Sequence, residues 1–347
     1  MAAIPIFDSA YIIDGLAMSY TPAQLLGGED SPLPSNPIID ETLDPSPGGC
    51  HFEDDKINEY LRAVRKGRES FELVYASSLS RCYLAYSLID SLWHKGSFVL
   101  NDLKLGVHLR WQIEKLGDGT ALYKTAEAIG ELASDMDLPI VNRGFELGVP
   151  KISFNVDGPK EDVAVGGKLV SDEDSWIIYM PFDTDDFHLG GSALSAALGL
   201  RGGISPKMED PDYFMDCYEV LREFVEDGIL LSASTVGRGG LLSALDKMTS
   251  RSVGAGIDIS ELKRAYPTAD VTRILFSEVP GVIIQINDSD FDYVDAEFLL
   301  QDVMYFPLGH PISGQKGVKV SWSEKPAIGA ILDSLVKIQD RSATPSG

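Results

Sequence analysis

Cysteine is scarce in this chain of 347 residues. Cys50, Cys82 and Cys217 are scattered, with no C-x-x-C pair. That excludes a zinc knuckle or a disulfide framework and implies a reducing, cytoplasmic setting. Histidine is also sparse: His51, His94, His108, His188 and His310 stand apart, with no H-x-x-x-H pair. Each therefore reads as a surface or packing histidine rather than a metal ligand. Positive charge is in short supply. The 29 Lys and Arg face 53 Asp and Glu, a formal net charge of -24. Such a field repels phosphate backbones and anionic lipid heads, so neither nucleic acid nor a membrane surface is an expected partner. A small phosphorylated ligand stays open, because a glycine-rich loop with a few basic residues can overrule the average. No apolar run approaches the ~18 residues of a membrane span. The first fourteen residues lack a basic n-region and reach Asp8 early, so they do not read as a signal peptide. There is no internal repeat.

What is present is ordinary globular composition, 44% hydrophobic and 24% charged, with length enough for two cores. Residues 1–52 carry P-L-P-S-N-P and D-P-S-P-G-G and read as an extended arm. The arm starts too apolar (Ile4, Ile6, Phe7, Tyr11, Ile12, Ile13) to hang free, so it is expected to lie against a body, its own or a partner's. Helical spacing follows over 54–68 (Ile57, Tyr60, Leu61, Val64), over 80–94 (Leu84, Leu88, Leu92) and over 120–135. Strand patterns cover 97–105, 107–113, 149–156, 163–170 and 176–182. The strand V-H-L-R-W-Q-I places Val107, Leu109, Trp111 and Ile113 on one face and His108, Arg110 and Gln112 on the other.

From 192 onward the pattern is α/β. Helices are expected at 192–198, 211–227, 240–250, 260–265 and 292–302, and strands at 229–233, 256–259, 281–286 and 319–322. The S-D-E-D segment at 171–174 separates two units, 53–173 and 174–325, and residues 326–347 are expected to form a helix and a disordered tail. Two glycine pairs, Gly190-Gly191 and Gly239-Gly240, sit at helix entrances, where a backbone approaches an anion or another helix.

Asp185-Asp186 and Glu209-Asp210 look like ligand pairs, but the second precedes Pro211 and reads as a helix cap. Asp288, Asp290 and Asp292 lack the Gly and closing Glu of a calcium loop and read as a turn.

The ordered series D-D-F-H-L-G-G-S-A-L-S, P-D-Y-F, D-G-I-L-L-S-A, G-G-L-L-S-A-L-D-K-M, G-I-D-I and R-I-L-F-S-E-V-P-G-V-I-I-Q-I, over 176 to about 315, resembles the second synthetase half of phosphoribosylformylglycinamidine synthase. A-L-Y-K-T-A-E-A-I at 121–129 and the helix from Ser80 resemble it upstream; residues 1 to about 65 match nothing in that family. The resemblance implies an α/β fold shared with aminoimidazole ribonucleotide synthetase. An N-terminal α/β domain lends strands to a barrel completed by a second copy, and a C-terminal α/β domain packs beside it. It implies Mg-ATP or Mg-ADP as cofactor if the family's site is kept. It also implies a homodimer through the N-terminal strands, or a heteromer with an active synthase-like chain. There is no G-x-C-x-G glutaminase nucleophile.

The family grips Mg²⁺ and phosphates from four places. Its D-x-G-M segment falls on E-S-F-E-L-V-Y-A-S-S, which has neither Asp nor Gly-Met. The Glu and Asn of A-E-A-L-T-N fall on Tyr86 and Asp90, and only Asp90 is a carboxylate. In the G-K-D-S-x-S loop Gly148 and Ser153 persist, but Lys151 stands two positions late, about 6–7 Å along an extended chain. The His-Asp of H-D-x-S-x-G-G falls on Ser234-Thr235. Glu278 in F-S-E-V-P-G matches a family glutamate. Candidate metal ligands are thus Asp90 and Glu278, and binding by oxygen ligands weakens as their charge count falls. Candidate cofactor contacts are Gly148, Lys151, Ser153, Gly190, Gly191, Ser192, Arg238, Gly239 and Gly240. Tight helix packing is the competing reading of the glycine pairs, and surface charge that of Lys151 and Arg238. The expectation is a catalytically degenerate half acting as a scaffold or interaction subunit. The alternative is an active ATP-dependent ligase, or a subunit of one, with a rebuilt site.

Overall fold

The computed structural model describes residues 5–28, 36–48, 52–67, 71–96, 98–159 and 165–323. The Pro-rich start is not a plain extended arm. It forms β1 (Tyr11–Ile13), β2 (Leu16–Ala17), α1 (Pro22–Leu25) and β3 (Ile38–Asp40), with β1 antiparallel to β2 and parallel to β3. The expectation that it lies against a body is met by its own chain. Phe7 stacks on Phe145 with centroids 4.9 Å apart, and Tyr11 packs on Tyr123.

Next come α2 (Ile57–Lys66), α3 (Ala76–Lys95), β4 (Lys104–Trp111), α4 (Asp118–Asp135), β5 (Ile140–Leu147) and β6 (Lys151–Asp157). One strand, β4, stands where two were expected at 97–105 and 107–113, because a short 3-10 turn occupies Leu100–Asp102. β4 is the middle of a three-stranded sheet, parallel to β5 and antiparallel to β6. Its alternation works as read: Leu105, Val107, Leu109 and Trp111 are buried, while His108 and Arg110 face out. Among the described residues no strand pairs with either outer edge of this sheet, and Leu147, which ends β5, and Val149, which follows it, are 61% and 66% exposed.

α4 starts at a left-handed Gly117, and its orphan N–H groups are met from 77 residues away. The buried Asp40 carboxylate accepts from Gly117 N at 2.7 Å and Thr120 N at 2.8 Å. The N-terminal segment therefore caps a core helix.

The second half runs β7 (Trp176–Pro181), α5 (Ala193–Leu198), α6 (Pro211–Glu226), β8 (Leu230–Val236), α7 (Gly240–Met248), β9 (Val253–Asp258), α8 (Ser260–Ala265), α9 (Val271–Phe276), β10 (Gly281–Ile286), α10 (Phe291–Leu300), β11 (Phe306–Ser313) and β12 (Val318–Ser321). The six strands form one sheet in the order β12-β9-β11-β7-β10-β8, antiparallel except for β9 with β12. The strand expected over 163–170 is not formed at 165–170. That segment is tied down by side chains instead: the buried Gln285 amide accepts from Val170 N at 2.8 Å and donates to Val170 O at 3.0 Å. As read, Asp210 caps α6, accepting from Tyr213 N at 3.0 Å, and Asp288–Asp290 is a turn. Residues 326–347 lie outside the described residues. Among the described residues no helix is long and apolar enough to cross a membrane.

Two apolar clusters cover the two faces of the six-stranded sheet. On one, Ile178, Met180, Val282 and Ile284 join α6 and α3, whose Leu84, Ala85, Leu88, Ile89 and Leu92 are wholly buried, and run on into the three-stranded sheet. On the other, Ile177, Tyr179, Ile283 and Ile257 join α7, α8 and α9, together with Ile57 and Leu61 of α2. α3 packs against α4, β6 and β8 at once, so its polar residues stand at the junction of the two sheets.

Candidate functional site

Three residues spaced along one face of α3, Tyr86, Asp90 and Trp93, meet the end of β8. Thr235 of β8 donates its hydroxyl to the Asp90 carboxylate and accepts from Trp93 Nε1 at 3.0 Å. Tyr86 is buried and donates to the Glu278 carbonyl; burial pushes its phenol well above the ordinary range. The stations matched by sequence as Tyr86, Asp90 and Thr235 are thus neighbours in space. They line a cleft of about 560 Å³ that also includes Arg238 and Lys247.

Glu278 follows α9 and is fully buried. One carboxylate oxygen accepts from Ala193 N at 2.7 Å and Gly239 N at 2.8 Å; the other accepts from Arg238 Nη1 at 3.0 Å. Arg238 also donates to Gly191 O at 3.2 Å and lies over the Tyr83 ring, 5.8 Å from its centroid. Burial pulls the Arg238 pKa down, but Glu278 and the Tyr83 and Tyr86 phenols outweigh it and the net shift is upward. The starts of α5 and α7 therefore converge on a carboxylate that the protein itself supplies.

The glycines around this knot are held by packing. Gly239 and Gly240 have φ of +89° and +72°, and a Cβ on Gly240 would meet Phe276 Cα at 2.6 Å. Gly190 donates to Ile204 O at 2.7 Å, with no room for a Cβ. Ser192 caps α5, accepting from Ser195 N at 3.2 Å. Gly148 turns the chain between β5 and β6 and donates to Trp111 O at 3.1 Å.

Lys151 and Ser153 open onto a second cleft of about 480 Å³, which Arg238 and Tyr86 also line. Its walls carry Phe71, Tyr83, Phe154 and Arg110. The β4–β6 register sets Arg110 opposite Lys151, two like charges that disfavour each other unless an anion lies near. Glu146 reaches Arg110 only at 3.9 Å, and Arg110 Nε donates to Val149 O at 3.0 Å. Sequence reasoning found Lys151, Ser153 and Arg238 but missed Arg110. The alternation of β4 had placed Arg110 on the outward face, and only the β6 register brings it to Lys151. The relay from Trp93 through Thr235 to Asp90 was also missed.

Mg-nucleotide needs several oxygen ligands on the metal. Among the described residues Asp90 is the one carboxylate lining either cleft, and both oxygens of Glu278 are engaged by N–H donors. Among the described residues no three His, Cys, Asp or Glu side chains stand close enough to hold a metal ion. These residues do not fit a metal-bound polyphosphate.

Residues 174–295 match the family profile described as AIR synthase related protein, C-terminal domain. Over that segment, about a third of its length, the chain is similar to the AIR synthase-related proteins. Its curated relatives include phosphoribosylformylglycinamidine synthase of Homo sapiens, 22% identical over 239 residues, and the probable chloroplastic/mitochondrial enzyme of Arabidopsis thaliana, 21% identical over 252 residues. These matches cover 63% and 67% of this chain but only 17% of each relative, so the chain spans about a sixth of their length. Among solved structures, T. maritima PurL complexed with FGAR aligns with a TM-score of 0.53 and 18% identity, over 76% of this chain and 47% of that one. PurLQS from Thermotoga maritima aligns with a TM-score of 0.52 and 17% identity, over 77% and 46%. These likenesses show the fold, a mixed α/β architecture shared with PurL.

Proposed function

We propose that this chain is a phosphoribosylformylglycinamidine synthase-like half that does not carry out ATP-dependent ligation by itself and serves as a scaffold or interaction subunit. One observation carries the reading. Where the superfamily resemblance calls for metal-binding carboxylates, the junction of α3 and β8 presents Tyr86, Thr235 and a lone Asp90 tied to Thr235. Phosphoryl transfer depends on positioned cations and on groups that hold them. Among the described residues no cluster of such ligands stands here, and Glu278 is engaged by Arg238 and two helix starts.

The test is thermal unfolding with Mg-ATP or Mg-ADP, with and without a chelator. A ligand at about 100 times its Kd would add about 2.7 kcal/mol. No Mg²⁺-dependent shift is expected; a clear one would replace this reading with an active ligase, or a subunit of one, whose site has been rebuilt. What favours that second reading is the aromatic cleft in which Arg110, Lys151 and Arg238 meet.

The chain's association belongs to the same proposal. Among the described residues no strand pairs with either outer edge of the three-stranded sheet, and a second copy or an active synthase-like chain would close them.

A further inference from the structure

We propose that a third cavity, of about 250 Å³ between α2, α5 and α7, binds a small anion of phosphoryl chemistry without a metal. It is separate from the two clefts above, although Arg238 stands at the edge of all three and Lys247 borders the cleft of about 560 Å³ as well. α2 belongs to the segment that has no counterpart in the sequence resemblance. Its Leu61 and Val64 give the cavity an apolar wall, and Ser243 and Lys247 face them from α7.

Ser243 is 6% exposed, and its hydroxyl finds no hydrogen-bond partner among the described residues. A buried hydroxyl without a partner is a standing cost, relieved when an acceptor arrives. Ser243 and Lys247 are four residues apart on α7 and so share a face of the helix. Lys247 pairs with no carboxylate among the described residues, and a lysine ammonium is a common phosphate partner.

The other charges cancel. Arg65 is bound to Asp246, with Nε 2.9 Å from Oδ2, and Arg238 to Glu278. The cavity is left with one uncompensated positive charge and one orphan donor in a chain of net charge -24. The donors are the hydroxyl and the ammonium rather than the Gly239 and Gly240 amides, since Glu278 takes the Gly239 N–H and the Gly237 carbonyl takes that of Gly240. Gly239 keeps the space open: a Cβ there would meet Ser243 Oγ at 2.5 Å.

The experiment titrates the full chain with inorganic phosphate and, in a second arm, with glycerol phosphate, at constant ionic strength. Thermal unfolding and phosphorus NMR are the readouts. Saturable binding in at least one arm is expected; tighter inorganic phosphate identifies the free ion as the ligand, and tighter glycerol phosphate identifies a monoester. Ser243→Ala and Lys247→Gln should each weaken that binding about tenfold, the worth of one charge-assisted hydrogen bond. Lys151→Gln, in the neighbouring cleft, should leave it unchanged. Ser243→Ala removes only an unpartnered hydroxyl, so its unliganded melting temperature should not fall, and lost binding cannot be blamed on misfolding. The proposal is overturned by no saturable response in either arm, or by a response that survives both α7 substitutions and disappears in Lys151→Gln. A Mg²⁺-dependent nucleotide shift would sink the degenerate-half reading without touching this site.

Discussion

The Arg238 guanidinium lies 3.0 Å from the Glu278 carboxylate, and that carboxylate is closed off from solvent. Removing one partner of a buried pair strands the other charge. Glu278→Ala should destabilise the fold by about 3–5 kcal/mol in urea unfolding. Glu278→Gln should cost less, because its carbonyl still accepts from the Ala193 and Gly239 amides. Equal stability of Glu278→Ala and the natural protein would show that the knot contributes nothing.

The Asp40 clasp on α4 gives a second, local prediction. Asp40→Ala removes both side-chain acceptors at the helix start and should cost about 1–2 kcal/mol. If the N-terminal segment capped nothing in solution, the substitution would leave unfolding unchanged.

His188 sets a pH dependence. Burial lowers its pKa below the ordinary 6.5, partly offset by Asp185 and Asp186. The unfolded chain therefore binds the proton more readily than the native one, and stability rises with pH across that window. Stability should fall as pH drops below about 6.5, the unfolded value. His188→Gln should flatten this part of the curve measured by thermal unfolding; an unchanged slope would assign the effect elsewhere.

The open sheet predicts an oligomer. Leu147 ends the outer strand β5 and Val149 follows it, and both are exposed apolar residues. Light scattering at micromolar concentration should report a dimer, and Leu147→Glu should shift it toward monomer. A monomeric natural chain would leave these edges without the expected partner.

Legibility of the sequence varied with how local the cause was. β10, a run of six buried residues, and α6, with Asp210-Pro211 at its start, were read close to their bounds. β11 was missed because Pro307, Gly309 and Pro311 look like breakers; a bulge between Pro307 and Gly309 lets the strand pair with both β7 and β9. The sheet of β1 and β3 left no local signal, since its parallel partners are 27 residues apart. The site divides in the same way. α3 spacing and motif matching placed Tyr86, Asp90 and Thr235, whereas the Arg110–Lys151 opposition depends on a strand register that no motif carries.

The last prediction tests the proposed degeneracy by adding carboxylates. Tyr86 and Thr235 flank Asp90 at the α3–β8 junction, so Tyr86→Glu with Thr235→Asp would bring three carboxylates together around one cleft. Without metal, the variant should be less stable than the natural chain, because like charges gather and one of them is buried. Mg²⁺ should then raise its melting temperature, and Mg-ADP should raise it further, while the natural chain responds to neither. The comparison isolates the carboxylates from the fold, which is the same in both proteins. If the natural chain responded as strongly as the variant, metal binding would not depend on these positions, and the case for a degenerate site would fail at its foundation.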